Sequence, residues 1–156
     1  MTNPRTAYRE ADVRGASPVR LVVLLYEQMI QDLTQAAQAI EQDDIRLRTK
    51  QINHVILIIG HLQSPLDFDN GGKVAKDLDR FYNVLRANLV QVQFHPSKLE
   101  ICRLITDLLA VREAWIEVER GEKSKVTTAA APTAAGVFPT GAAEPESDRA
   151  PMDWQG

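Results

Sequence analysis

This sequence has one cysteine, no surplus of basic charge and no long apolar run. Each shortage removes a class of protein. Cys102 alone cannot build an internal disulfide framework, and a lone thiol fits a reducing compartment. With 18 basic against 21 acidic residues, a net charge of -3 leaves no electrostatic footprint for nucleic acid. The longest uninterrupted apolar runs, Leu21 to Tyr26 and Val55 to Ile59, fall far short of the ~20 residues that a membrane span needs, so no membrane insertion is expected. The opening residues lack the apolar core of a signal peptide, and the expected location is cytoplasmic. A chain of 156 residues has room for one domain and an extension.

What is present is helical periodicity. Met1 to Ala16 is polar and unpatterned and is expected to form an arm (residues 1–16). Ser17-Pro18 is a strong helix start, because the serine hydroxyl can cap free amides and proline suits the first helical position. Val22, Tyr26, Met29, Leu33, Ala36 and Ile40 then recur at spacings of three and four, with Leu21, Leu24 and Leu25 widening that face at the start. Gln42-Asp43-Asp44 closes this helix, with Asp44 placed to cap the next. The second helix runs from about Ile45 to Leu62. Its run Val55 to Ile59 is β-branched enough for a buried strand, but threefold and fourfold spacing continues on both sides of it. Ser64-Pro65 ends it. A third helix from Lys73 places Val74, Leu78, Phe81, Tyr82, Leu85, Leu89 and Val92 on one stripe, until Phe94-His95-Pro96-Ser97 breaks it. A fourth carries Ile101, Leu104, Ile105, Leu108, Val111, Trp115 and Val118. The expected fold is all-α, an antiparallel four-helix bundle over residues 17–120, with the third helix as its central rib.

Half of the eight prolines and half of the eight glycines fall after residue 120. A segment of that composition cannot bury enough apolar surface to offset its ordering entropy, so residues 121–156 are expected to be a disordered tail. Phe138 and Met152-Asp153-Trp154 are isolated apolar points within it.

The chemistry-bearing residues do not assemble into a catalytic or metal site. The stretch Leu66-Asp67-Phe68-Asp69-Asn70-Gly71-Gly72 imitates a calcium loop, with Asp67, Asp69 and Gly72 at its first, third and sixth positions. The fifth position is Gly71, however, and the twelfth is Leu78, where a bidentate glutamate is required. As a phosphate loop, Gly72-Lys73 lacks the following serine or threonine. The better reading is turn chemistry, with Asp69 or Asn70 capping the third helix and the glycine pair allowing a tight turn. His54 and His61 lie about 10.5 Å apart along a helix, too far to share a metal. Cys102 has no histidine at catalytic spacing, and Ser17, Ser64 and Ser97 all mark helix boundaries. A metal-dependent bundle enzyme would need Glu-x-x-His pairs, and the sequence has none. No catalytic residue, metal or cofactor is expected.

The apolar surface is the unusual feature. Cys102, Leu109 and Ile116 repeat every seven residues beside the main stripe of the fourth helix. Together the two span about 200°, against roughly 100° for a bundle edge helix. Leu57 and Ile58 likewise lie off the main face of the second helix. Either these helices are the more central ones, or a groove between them accepts an amphipathic helix of another protein.

Several of these residues resemble the flagellin-specific export chaperone family of bacterial flagella. The likeness covers about Tyr8 to Glu117. It rests on Tyr8-Arg9-Glu10, on Ala16-Ser17-Pro18 followed by Leu21-Val22 and Leu25-Tyr26, and on Leu66-Asp67 and Gly71-Gly72. It continues with Phe81-Tyr82 and with Leu108-Leu109 before Val111-Arg112-Glu113-Ala114-Trp115. Phe81 stands where the family usually has leucine, Val92-Gln93 replaces a common Ala-Asn pair, and the tail is longer than usual. The resemblance implies a non-enzymatic chaperone that binds the disordered C-terminal segment of flagellin, prevents its polymerisation and delivers it to a component of the flagellar export gate. It also implies an arm, with Tyr8, that rests on the client surface until displaced. The expected client-binding residues are Tyr8, Leu57, Ile58, Tyr82, Cys102, Leu109 and Ile116, while Tyr26 and Trp115 are expected in the core. The competing expectation is a helical adaptor that self-associates through the same faces.

Overall fold

The computed structural model describes residues 15–128, which form four helices. These are α1 (Pro18–Glu41), α2 (Ile45–Gln63), α3 (Phe68–Phe94) and α4 (Lys98–Thr128). Tyr8 and the stretches 1–14 and 129–156 lie outside the described residues, so most of the expected arm and tail does too. The expected tail boundary at Gly121 is not where the last helix ends, since α4 continues through it to Thr128.

Local chemistry explains the boundaries. The Ser17 hydroxyl accepts from the Arg20 backbone N–H at 3.1 Å, and Pro18 takes the first position of α1. The C-terminus of α1 closes through paired bonds, Asp44 N–H to the Ala39 carbonyl at 2.8 Å and Asp43 N–H to the Ile40 carbonyl at 3.2 Å. They hold Asp43 in the left-handed region at φ 54°, the position where helices commonly place glycine. Asp44 then caps α2 by accepting from the Leu47 N–H at 3.0 Å.

The α2–α3 connection departs from expectation. Asp67, rather than Asp69 or Asn70, is the cap, and its carboxylate accepts from the backbone N–H groups of Asp69 and Asn70, both at 3.0 Å. These donors, with Asn70 foremost, hold the Asp67 carboxyl below its ordinary range. One helical turn starts at Phe68, breaks at Gly72 (φ 56°, ψ -132°), and the long helix proceeds from Lys73. Only glycine occupies that backbone region without strain.

The helices pack as an antiparallel bundle in which α1 lies against α2 and α4 over much of its length, while α3 meets α2 and α4 at fewer close approaches. The central helix is therefore α1 and not α3. Its buried alanines Ala36, Ala37 and Ala39 let backbones come near, whereas α3 contributes larger core side chains such as Leu78, Tyr82, Leu85 and Leu89. Polar seams fix the register. Between α1 and α4, Glu41 pairs with Lys98 at 2.5 Å and Glu27 receives Arg112 Nε at 3.1 Å and Nη2 at 2.5 Å. Between α1 and α2, buried Asp32 is held by His54 and by Gln28 Nε2 at 2.9 Å. Between α2 and α3, Gln63 Nε2 donates to Asp79 at 3.0 Å and its oxygen accepts from Arg86 at 2.6 Å.

Candidate functional site

In an up-and-down bundle consecutive helices are neighbours, so α2 and α4 fall on a diagonal with α1 and α3 between them. Among the described residues α2 and α4 do not adjoin, so they share no groove directly between them as expected. The candidate residues divide accordingly.

On α4, Cys102 is exposed, Leu109 is 43% exposed and Ile116 is half-buried against the core. Arg112 lies three residues after Leu109 and four before Ile116, on the same side of the helix. Because Arg112 reaches Glu27 of α1, this stripe runs along the shoulder of α4 beside the α1–α4 seam. Cys102, one of the expected client-binding residues, is part of that exposed stripe.

On α2, Leu57 is 58% exposed, whereas its neighbour Ile58 is 3% exposed and belongs to the core. Ile58 follows Val55 by three and precedes Leu62 by four, so it shares their buried row. Ile58, expected at the contact surface, is thus part of the core in the free bundle. Tyr82, expected at the same surface, is 1% exposed in the free bundle. Its hydroxyl lies 2.7 Å from that of Tyr26, either donating, and the rings sit 6.4 Å apart at 57°. Burial pushes the Tyr26 phenol up to about 12, partly offset by hydrogen bonds with Tyr82 and Trp115. Burial pushes Tyr82 higher still, helped by the adjacent Tyr26.

Beside these aromatic residues is a cavity of about 290 Å³ that sequence reasoning did not anticipate. It lies where α1 begins and α2 ends, lined by Val19, Leu21, Val22, Leu25, Leu62, Leu66 and Trp115, with Pro18, His61, Pro65 and Tyr82 completing it. The extra width of the α1 face at Leu21 and Leu25 was its one visible sign. At the opposite end, Ile45, Phe94 and Leu99 are 62%, 73% and 64% exposed around the turns joined by Glu41 and Lys98. Each adjoins a helix break, where periodicity carries no information about exposure.

Among the described residues no group of three or more His, Cys, Asp or Glu side chains could hold a metal ion, and no helix is long and apolar enough to cross a membrane. What this surface offers is apolar contact along helix shoulders, which places the molecule among helical-bundle proteins built around an exposed apolar face. Residues 1–122 match the family described as "Flagellar protein FliS". The chain is 35% identical over 106 residues to flagellar secretion chaperone FliSB of Pseudomonas aeruginosa, covering 68% of this chain and 84% of that one. It is 27% identical over 124 residues to flagellar secretion chaperone FliS of Bacillus subtilis (78% and 90% covered). Against the protein of the same name in Salmonella typhimurium it is 27% identical over 110 residues (70% and 82% covered). The chain belongs to the FliS family of flagellar secretion chaperones.

Proposed function

We propose that this protein is a cytoplasmic export chaperone that binds the disordered C-terminal segment of flagellin, keeps it from polymerising and supports its delivery to a component of the flagellar export gate. The observation that carries this reading is the exposed apolar stripe of Cys102, Leu109 and Ile116 on a bundle whose core is already filled by other residues. Ordering a disordered client consumes on the order of 2–5 kcal/mol of interaction energy. At ~25 cal/mol per Å², up to about 200 Å² of apolar area must be covered before net affinity appears. A stripe repeating over two heptads of α4, with Leu57 on α2 as a second contact, is the surface that would supply it. Tyr8 rests on part of the same surface in the free protein. Ile58 and Tyr82 act from beneath, by shaping the helices that present it.

The test is co-purification and titration with a C-terminal flagellin peptide. Binding is expected, and absence of binding at micromolar concentration would sink the reading. Replacing Leu109 and Ile116 together by serine should weaken binding while circular dichroism stays helical. A protein that is oligomeric alone and indifferent to the peptide would instead be a self-associating adaptor.

A further inference from the structure

We infer that the end cavity takes up a segment of the protein's own C-terminal region, with Phe138 as the anchoring side chain. The family match ends at residue 122, so Val137-Phe138 lies in a stretch that the shared family function does not account for. Position, reach, size and charge all favour this occupant.

The cavity is at the end of the bundle from which that stretch departs. Trp115 of α4 lines it, and α4 continues from there to Thr128, a helical path of ~20 Å. Phe138 is ten residues beyond Thr128, which at ~3.3 Å per residue allows a return of ~33 Å. The sequence between them contains Pro132 and Gly136, residue types at which a helix stops and a chain can reverse. Apolar cavities of ~150 Å³ already accept benzene. One of about 290 Å³ therefore holds a phenyl ring with the valine beside it.

The lining is apolar, and its Tyr82 hydroxyl is already engaged by Tyr26. A suitable ligand is therefore uncharged. No charged residue occurs between Lys125 and Glu144, so Val137-Phe138 enters without burying a charge. Met152-Asp153-Trp154, the other apolar point of the region, would bring a carboxylate against that lining. Tethering does the rest. Short flexible linkers give effective concentrations near ~1 mM, so a contact with an intrinsic Kd of ~0.1 mM would be about 90% formed in the intact chain.

The two tryptophans provide the test. In the full-length Trp154→Phe protein, Trp115 is the sole indole, and it reports on the cavity. Adding Phe138→Ala should raise acrylamide quenching of Trp115 several-fold and shift its emission to the red, with helicity unchanged. A peptide spanning residues 132–143, supplied at about 1 mM, should reverse both changes, and the same peptide with alanine at the phenylalanine should not. Unchanged quenching, or a change the peptide does not reverse, overturns the inference. An effect produced by Tyr8→Ala instead assigns the cavity to the arm and overturns it as well. Protection that disappears on dilution places a second copy in the cavity, and lost helicity places Phe138 in the fold; either result also overturns it.

Discussion

The phenolic oxygens of Tyr26 on α1 and Tyr82 on α3 meet at 2.7 Å inside the bundle, across its diagonal, where both side chains are essentially closed to solvent. That bond joins two helices that make no close backbone approach to each other. Its partners are mutually dependent, since removing one hydroxyl leaves the other in an apolar setting. Tyr82→Phe should therefore destabilise the fold by about 1–2 kcal/mol, and the Tyr26→Phe, Tyr82→Phe double variant by less than the sum of the singles. Urea denaturation of the four proteins measures this. Strict additivity would mean the bond contributes nothing.

The same pair sets an alkaline limit. The Tyr26 phenol is raised from 10.0 to about 12, so below pH 10 it keeps its proton whether the chain is folded or not, and its contribution is complete. Between pH 10 and about 12 the unfolded chain ionises while the folded one does not, so stability falls as pH rises, by on the order of 3 kcal/mol. Denaturation midpoints stepped through that window should drop more steeply for the native sequence than for Tyr26→Phe. Parallel curves would contradict the buried setting of this phenol.

Leu57 and Ile58 are adjacent in sequence and opposite in environment. Leu57→Ser should change stability by no more than about 0.5 kcal/mol, and Ile58→Ser should cost more than about 2 kcal/mol. The client titration then separates their roles, since only Leu57→Ser can weaken binding without loosening the fold. Equal destabilisation by the two would contradict the register of α2.

Two backbone positions with positive φ make opposite predictions. Asp43 occupies the left-handed position after α1, so Asp43→Gly should add about 0.5–1 kcal/mol of stability. Gly72 sits at φ 56°, and a Cβ there would meet no atom within 4 Å, so the penalty of Gly72→Ala is conformational, about 1–3 kcal/mol. Thermal melts of both variants check the signs.

Helix number, order and most boundaries were legible because they depend on residues close in sequence. Ser17-Pro18, Asp44 and Ser64-Pro65 act within one turn, and the structure places them as their chemistry requires. The helix that would be central was not legible from the stripes. A stripe such as Val74 to Val92 marks a buried face but not how near the neighbouring backbones stand, and that distance depends on the alanines of α1. The α2–α4 groove failed for a related reason, since periodicity within one helix says nothing about which other helix faces it. Ile58 was legible in principle through Val55 and Leu62, but the apolar run around it blurred the row. The α4 stripe of Cys102, Leu109 and Ile116 was legible as excess apolar width, because burying Ile101, Leu104, Leu108 and Trp115 already uses the core-facing arc.

The uneven attachment of the four helices also governs how the bundle opens. With α1 in close contact with both α2 and α4, and α3 held mainly through side chains, α3 is the helix expected to come away first. Native-state hydrogen exchange should show α3 amides exchanging through a lower-energy opening than those of α1. Each such excursion breaks the Tyr26–Tyr82 bond and lifts one wall of the end cavity. A firmly packed α1 beside a yielding wall lets one small protein keep its shape while changing the size of the space it offers to another chain.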